Sequence, residues 1–342
     1  MSYELRNEVR TEPFRRNDRL ESLLQQLNEI LHDASSKQSA LFDSPKYPSI
    51  FIVGGPRSGT TLMMQWLASS GLFGYPSNLM ARFYRAPYIG ALIHEMMFNP
   101  DYQYKDDFSD LLPFTLKSRF ESDLGKTIGA SAPNVFWYFW RRFFKFADCP
   151  YLNEAQQQSA DTASFVKELA AIESAFNKPF ALKGIIVNWN LEFIDQLFEK
   201  ALFIHVRREP AYQMKSILNA RARFRGDRKL WWGFKTPEFE HLKFSSPEEE
   251  VAAQIFFTRR AISKSFDKIS DNRWMNVDYE HFCTEPQQIY RELTAKLSSQ
   301  QYELPSQYPG TPGFSNSNGP VSDEIEALNN VYRQFGTAHR SN

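Results

Sequence analysis

The chain has 342 residues, and its 40 basic and 40 acidic side chains leave no net charge. This balance excludes the overall positive field that attracts nucleic acid, so we expect no nucleic-acid partner and look for function in local sites. The two cysteines, Cys149 and Cys283, are too few and too far apart for a metal pair or a disulfide framework, and the length suits one elaborated α/β domain.

We expect no targeting signal in the N-terminal part of this sequence. Residues 1–30 are too charged for a signal peptide, and no run reaches the roughly 18 apolar residues that a bilayer-spanning helix needs. We therefore expect a soluble, cytoplasmic protein without an integral membrane segment, and we leave open whether it forms a homo-oligomer.

Residues 1–45 are predicted to form an N-terminal arm built around one amphipathic helix. Leucine and isoleucine recur at helical spacing from Leu20 to Leu31, after a polar stretch. This apolar face can pack on the chain's own domain or on a partner. A segment with two prolines, 44–49, then separates the arm from the first buried strand, Ile50–Val53.

The first strand ends in a glycine-rich turn, "GGPRSGTT" at 54–61, which leads into a predicted helix over 60–70. Backbone N–H groups and the positive end of a helix converge after such a turn and bind an anion. In nucleotide hydrolases a Lys follows the second glycine of this loop, but here Thr60 takes that place and Arg57 supplies a cation from within the loop. No acidic strand end that would hold a metal is evident, so the pattern favours an anion other than a magnesium-bound nucleotide.

The next region, 76–178, is rich in aromatic residues and is predicted to be a helical insertion with loops. Its most apolar stretch, "NVFWYFWRRFFKF" at 134–146, is interrupted by cations and is too short to cross a membrane. We expect core packing with a partly exposed aromatic wall, and the alternative is a platform for a ligand.

Further strand-like runs lie at 179–187 and 201–206 with a helix between them. This alternation of strand, helix and strand is typical of a parallel sheet. The second run leads to Arg208, and a helix that begins at Pro210 carries Ser216 nearly two turns in. Arg208 and Ser216 can therefore close on a second anion from two sides.

The remaining elements complete the predicted fold. A short strand at Trp274–Val277, a further helix, a loop at 302–318 and a closing helix at 322–335 follow. The prediction is an α/β fold, a single three-layer domain with a central parallel sheet over residues 46–300. Within it 76–178 form the acceptor lid, and residues 301–342 close the site.

Three of these stretches resemble the sulfotransferases that use 3′-phosphoadenosine 5′-phosphosulfate (PAPS). "GGPRSGTTLM" is similar to their 5′-phosphosulfate loop, "HVRREPAYQMKS" to their 3′-phosphate motif, and "MNVDYEHFCTEPQQIYREL" to their Tyr-Glu-x-Leu segment, with Phe282 in place of Leu. The resemblance implies a P-loop-like fold, PAPS as donor, no metal, and transfer to a hydroxyl. It places the 5′-phosphosulfate on five residues, Arg57, Ser58, Gly59, Thr60 and Thr61. It places the 3′-phosphate on Arg208 and Ser216, and the donor's phosphates or adenosine on Tyr279.

The resemblance also implies a general base, but the Glu that relatives often carry soon after the first helix is missing, since "GYPSNLMARFYRAP" stands there. The nearest candidates are His94 and Glu95, with Glu121 or Asp123 behind them. We predict Glu95 as the base, with His94 as its alternative, and Arg57 as the group that neutralises the leaving phosphate. A hydrogen-bonded helix histidine and a solvated helix glutamate are the competing interpretations of the first two.

The acceptor is the least defined part of the prediction. In "NARARFRGDRKLWWGF" four arginines adjoin two tryptophans, and they either recognise an anionic or sugar acceptor or only cover the donor. We expect a saccharide or glycolipid, with a small-molecule alcohol or phenol as the alternative. Two rivals from other classes remain, a P-loop kinase that needs ATP and magnesium, and a non-catalytic PAPS-binding module.

Overall fold

Four parallel strands form the central sheet of the computed structural model, which describes residues 7, 9–105, 107–108, 110–118, 120–146 and 148–339. The strands of these residues are β1 (Ser49–Val53), β2 (Ser122–Asp123), β3 (Lys126–Thr127), β4 (Ala181–Lys183), β5 (Ala201–Arg207) and β6 (Trp274–Asp278). The sheet has the order β4-β1-β5-β6, whereas β2 and β3 form a separate antiparallel hairpin. The predicted α/β fold with a central parallel sheet is confirmed.

Helices cover both faces of the sheet. Their bounds are α1 (Asp18–Ser39), α2 (Thr60–Ser69), α3 (Pro87–Phe98), α4 (Trp137–Phe143), α5 (Glu154–Gln158), α6 (Thr162–Phe176), α7 (Leu191–Asp195), α8 (Pro210–Arg225), α9 (Pro247–Phe266), α10 (Tyr279–Thr284), α11 (Pro286–Ser298) and α12 (Asp323–His339). All five residues of β1 are buried, as expected for a strand that has helices on both sides. None of the helices in the described ranges is both long enough and apolar enough to cross a lipid bilayer.

Alternate residues of the strands pack into two separate apolar cores, one on each face of the sheet. Phe51 and Phe203 lie opposite each other in the β1–β5 register and pack with residues of α4 and α6 on one face. Ile50 and Leu202 are also opposite each other and pack with residues of α2 and α11 on the other face. Because successive side chains of a strand point to opposite faces, one short apolar run supplies both cores.

The strand predicted at 179–187 is shorter in the structure. β4 ends at Lys183, Gly184 donates its N–H to the carbonyl of Ile52 at 2.8 Å, and a 3-10 turn at Ile185–Val187 leads the chain away. Its partner β1 ends at Val53, so the apolar residues beyond have no strand edge with which to pair. The insertion at 76–178 also contains the β2–β3 hairpin, which the sequence analysis does not predict.

The aromatic run at 134–146 forms α4 and its flanks. Phe139 and Trp140 are completely buried in the core, whereas Trp137 and Tyr138 line a cavity. The segment thus combines core packing with a partly exposed aromatic wall, as predicted.

Helix α1 packs on the chain's own domain. Asn28 is completely buried, donates through Nδ2 to the carbonyl of Arg82 at 2.7 Å, and accepts the N–H of Arg85 at 2.7 Å. Leu23 and Ile30 remain 61% and 70% exposed. The helix is therefore held by buried hydrogen bonds as well as by its apolar stripe.

Candidate active site

Two positions of the turn between β1 and α2 require glycine. Gly54 has a φ of +144°, and a Cβ there would lie 2.6 Å from the carbonyl oxygen of Val206. Gly59 has a φ of +104°, and a Cβ there would lie 2.5 Å from the ring of Tyr279. Only glycine lets the loop lie this close to β5 and α10. Because Gly59 directly precedes α2, the loop N–H groups and the helix N-terminus form an anion site.

Arg57 and Arg208, which follow two different strands, meet in space. Arg57 has a left-handed φ of +62°, and its Nε donates to Ser216 Oγ at 3.0 Å. Its carbonyl oxygen accepts a hydrogen bond from Arg208 Nη1 at 3.3 Å. Burial, and then the charge of Arg208, lowers the pKa of Arg57. Two cations held together in this way, with an uncommon backbone conformation at one of them, favour an anionic ligand.

Arg208 lies between β5, α10 and the C-terminal loop. Its guanidinium donates to Asn318 Oδ1 at 2.8 Å and to Ser317 Oγ at 3.1 Å, and it lies 5.0 Å from the centre of the Tyr279 ring. The Tyr279 hydroxyl in turn lies 2.9 Å from Ser317 Oγ. A guanidinium carries five N–H donors. Contacts among the described residues engage three of them, counting the bond to Arg57, and a phosphate can take the others.

Lys183, at the end of β4, is a site residue that the sequence analysis misses. It is 5% exposed, and its Nζ donates to Thr61 Oγ1 at 2.9 Å at the start of α2. Burial, followed by the charge of Arg57, lowers its pKa to about 7. The signal in the sequence is a lysine inside the apolar run "PFALKGIIV", because a buried lysine needs a partner or a function.

One cavity of about 890 Å³ joins these cations to a set of aromatic rings. We call the part lined by Arg57, Lys183 and Arg208 the anion-binding end. The aromatic end is lined by Trp137, Tyr138, Trp189, Phe224, Trp232 and Phe234. Trp137 and Phe234 stack there, with ring centres 5.4 Å apart and planes inclined by 16°. The volume is within the range of about 300–1,000 Å³ that ligand sites occupy.

Two polar groups in the wall of this cavity point to a polar ligand. Thr258 Oγ1 and Trp189 Nε1 are buried atoms without a hydrogen-bond partner among the described residues. Buried polar groups are nearly always paired, so a bound molecule with acceptor atoms would complete them.

The β2–β3 hairpin lies over the start of α2. A methyl group on Gly125, at the hairpin tip, would come within 3.5 Å of Thr61 Oγ1. The carbonyl oxygen of Glu121 accepts a hydrogen bond from Gln65 Nε2 at 3.1 Å. Glu121 lines the cavity and, of the residues that the structure describes, is the only acidic one to do so.

The predicted bases His94 and Glu95 lie on α3, and neither lines the cavity. His94 is 5% exposed, its Nδ1 lies 2.9 Å from Ser77 Oγ, and burial lowers its pKa to about 4. Glu95 accepts a hydrogen bond from Asn99 Nδ2 at 2.8 Å, and burial raises its pKa. The structure does not bring these two residues to the site, because α3 packs against α1 and α6 instead.

Other predicted residues also lie outside the cavity lining. Arg221 is completely buried and pairs with Glu250 at 2.7 Å, and Arg223 pairs with Asp123 of the hairpin at 2.8 Å. These contacts favour a structural role for the arginines near the tryptophans. Ser58 is buried within the loop. Gly59, Thr60, Thr61 and Tyr279 do line the cavity, together with Arg57 and Arg208.

A parallel sheet with a glycine-rich anion loop after one strand and a second cation at the end of its neighbour is typical of P-loop-like group-transfer enzymes. The model of the sulfotransferase family matches residues 48–302. The chain therefore belongs to the sulfotransferase family and is a PAPS-dependent sulfotransferase. This membership decides against the kinase.

Solved sulfotransferase structures resemble the chain at low sequence identity. Sulfotransferase STF1 from Mycobacterium tuberculosis H37Rv is 13% identical, and the match covers 92% of this chain and 82% of that one with a TM-score of 0.51. For sulfotransferase STF9 from Mycobacterium avium the identity is 14%, the coverage 94% and 72%, and the TM-score 0.47. For the sulfotransferase domain of the Synechococcus PCC 7002 olefin synthase the values are 14%, 85% and 96%, and 0.41. The likeness to STF1 supports the fold alone, and no curated protein matches the chain.

The residues present fit the donor that the family implies. PAPS carries negative charge at both ends, and the anion-binding end offers three cations and the start of α2. Within the described ranges there is no group of three or more His, Cys, Asp or Glu side chains that could hold a metal ion.

Proposed function

We propose that this enzyme transfers the sulfuryl group of PAPS to a hydroxyl of a saccharide or glycolipid. The observation that carries the proposal is the cavity in which Arg57, Lys183 and Arg208 face the same space as a wall of aromatic rings. Stacked indole and phenyl rings suit a flat or ring-shaped acceptor. A small-molecule alcohol or phenol is the second candidate, because the Trp137–Phe234 stack suits a phenyl ring equally well.

The proposed donor site divides between the two ends of PAPS. Arg208 and Ser216 would hold the 3′-phosphate, and the ring of Tyr279 would pack along the donor. Arg57, Thr60, Thr61 and the loop N–H groups would hold the 5′-phosphosulfate. The hydrogen bond from Arg57 to Ser216 and the contact of Arg208 with the Arg57 carbonyl support a common donor site, since the two cations lie close together.

In the proposed reaction the acceptor oxygen forms a bond to sulfur while the bond between sulfur and the phosphate oxygen breaks. Arg57 and protonated Lys183 would stabilise the negative charge that develops on the leaving phosphate. The acceptor proton needs a base, and we assign this role to Glu121. Its position supports the assignment, because it lines the cavity and its backbone is held by Gln65, one turn of α2 beyond Thr61.

Transfer of radiolabelled sulfate from PAPS to a panel of saccharides, glycolipids, alcohols and phenols tests the proposal. We expect a saccharide or glycolipid to be labelled at the highest kcat/KM. A panel in which only simple alcohols or phenols are labelled would select the second candidate. Failure of adenosine 3′,5′-bisphosphate to raise the Tm would contradict the donor site itself.

We expect Arg208→Ala to weaken the binding of adenosine 3′,5′-bisphosphate by about 1.5–3 kcal/mol, the range for a hydrogen bond to a charged group. Titration calorimetry measures the change. Arg207→Ala is the matched control, because Arg207 precedes Arg208 but forms an exposed ion pair with Asp278. This variant should bind adenosine 3′,5′-bisphosphate with the affinity of the native enzyme. Unchanged affinity in Arg208→Ala would remove Arg208 from the 3′-phosphate site.

We expect Glu121→Gln to lower kcat by about 100-fold, the lower end for loss of a general base, with little change in bisphosphate affinity. Steady-state kinetics with a labelled acceptor provide the measurement. Asp123→Asn and Glu95→Gln are the controls, because Asp123 pairs with Arg223 and Glu95 lies on α3 outside the cavity. If Glu95→Gln loses more activity than Glu121→Gln, the base is on α3 and our assignment is wrong.

A further inference from the structure

Residues 9–16, which we call the N-terminal segment, are fixed along the end of α8. The N–H of Thr11 donates to the carbonyl of Phe224 at 3.0 Å, and Thr11 Oγ1 donates to the carbonyl of Arg223 at 2.6 Å. Arg225 Nη1 donates to the carbonyl of Val9 at 2.9 Å. The segment lies outside residues 48–302, which the family model matches.

Aromatic contacts join the N-terminal segment to the aromatic end of the cavity. The ring of Phe14 lies 5.1 Å from that of Phe224, and the guanidinium of Arg10 lies 5.1 Å from the Phe224 ring on which it packs. Both Arg10 and Phe224 line the cavity. The N-terminal segment therefore forms part of the cavity wall.

Arg16 brings a second cation of the segment to this end. Its guanidinium lies 5.4 Å from the centre of the Tyr138 ring, and Nη1 lies 3.9 Å from Glu21 Oε2. Glu21 also accepts a hydrogen bond from the Tyr138 hydroxyl at 2.6 Å, so this carboxylate orients both groups. Arg16 and Tyr138 line the cavity, whereas Glu21 does not.

One further cation lies beside the aromatic end. Arg141 packs 5.5 Å from the Trp137 ring, and burial, followed by the charge of Arg16, lowers its pKa. Glu121 is the only acidic residue among the described residues that line the cavity as a whole.

Arg10 lies beside the other end of α8 from the proposed 3′-phosphate site. Ser216 lies in the second turn of α8 and Phe224 near its end. Eight residues of α-helix span about 12 Å. Arg10, packed on Phe224, is therefore about two turns away from the proposed 3′-phosphate site and faces whatever occupies the aromatic end.

We propose that the N-terminal segment is the acceptor-specificity element of this enzyme, and that Arg10 and Arg16 select a ring-bearing acceptor that carries a carboxylate, phosphate or other anionic oxygen group. The inference rests on the proposed function and names the acceptor class within it. The ring packs against Trp137 and its neighbours, and the anionic group meets the two guanidinium groups. An arginine fork matches the two oxygens of such a group.

Two matched pairs of acceptors test this inference with radiolabelled PAPS. The saccharide pair is methyl β-D-glucopyranosiduronate and methyl β-D-glucopyranoside, and the phenol pair is 4-hydroxyphenylacetate and 4-hydroxyphenylacetamide. In at least one pair we expect kcat/KM for the anionic member to exceed that of the neutral member by about tenfold or more, the effect of one charge-assisted bond. In Arg16→Gln and Arg10→Gln this ratio should fall towards one.

Arg15→Gln is the matched control, because Arg15 is an exposed arginine of the same segment that does not line the cavity, and it should keep the ratio. Bisphosphate affinity close to that of the native enzyme shows that a variant is folded. The inference is overturned if neither pair favours the anion, if no probe is labelled while the bisphosphate binds, or if both cavity variants keep the native ratio. Loss of bisphosphate binding by the native enzyme would instead overturn the proposed function.

Discussion

We expect Arg57→Ala to lower the rate of sulfuryl transfer by about 10²–10³, the cost of removing one preorganised donor to a developing negative charge. Arg57 lies where the glycine-rich loop, Ser216 and Arg208 meet, and it is largely withdrawn from water, which strengthens its field at the leaving oxygen. Arg57 adopts a left-handed backbone conformation although it is not a glycine, and alanine can adopt the same conformation at a similar cost. The substitution therefore removes the charge and changes the loop conformation little.

Single-turnover rates and bisphosphate affinity together separate the two roles of Arg57. A loss confined to the rate places Arg57 on the transition state, whereas a loss confined to affinity would make it a binding residue only and contradict the prediction. Arg223→Ala is the control, because Arg223 is an exposed arginine outside the cavity lining, and its solvent-exposed ion pair with Asp123 contributes little to stability. It should retain a rate within a few-fold of the native enzyme.

We expect Lys183→Met to lower kcat by a similar factor of about 10²–10³ while the free energy of unfolding stays the same or rises. Lys183 is a buried cation that touches Thr61 and lies near Arg57, and methionine keeps most of its volume without its charge. A buried charge costs solvation energy. We therefore expect kcat to fall while the free energy of unfolding is kept or rises. A variant that merely misfolds would lose both activity and stability. Lys178→Met, at an exposed position of the preceding loop, should change neither.

The pKa of Lys183 also predicts how donor binding depends on pH. Its value of about 7 in the ligand-free enzyme must rise when phosphate groups lie beside it, because an opposite charge favours the protonated form. Above pH 7 binding therefore takes up a proton, and bisphosphate affinity should fall as the pH rises from 7.5 to 9 in the native enzyme. In Lys183→Met this fall should be absent, and the same slope in both proteins would show that Lys183 does not contact the donor.

The sequence by itself determined the scaffold of the donor site. β1, the glycine turn and the start of α2 follow one another in the chain, and so do β5, Arg208 and α8. Such local order is visible in short apolar runs, glycine positions and helix starts. It also determined that the strands are parallel, because each is separated from the next by a helical crossover. These parts of the prediction needed no knowledge of distant contacts.

Only the tertiary structure decided which further side chains share the cavity. Lys183 meets Thr61 across 122 positions of sequence, Thr11 bonds to Phe224 across 213, and the hairpin at 122–127 folds back over α2. His94 and Glu95 follow the loop along the chain, but their helix α3 packs against α1 and α6, and neither residue lines the cavity. Proximity along the chain does not fix the direction of a helix face, since that direction depends on which partner the helix packs against. The aromatic end of the cavity, to which the N-terminal segment, α4 and the residues after α8 contribute, is therefore defined by packing.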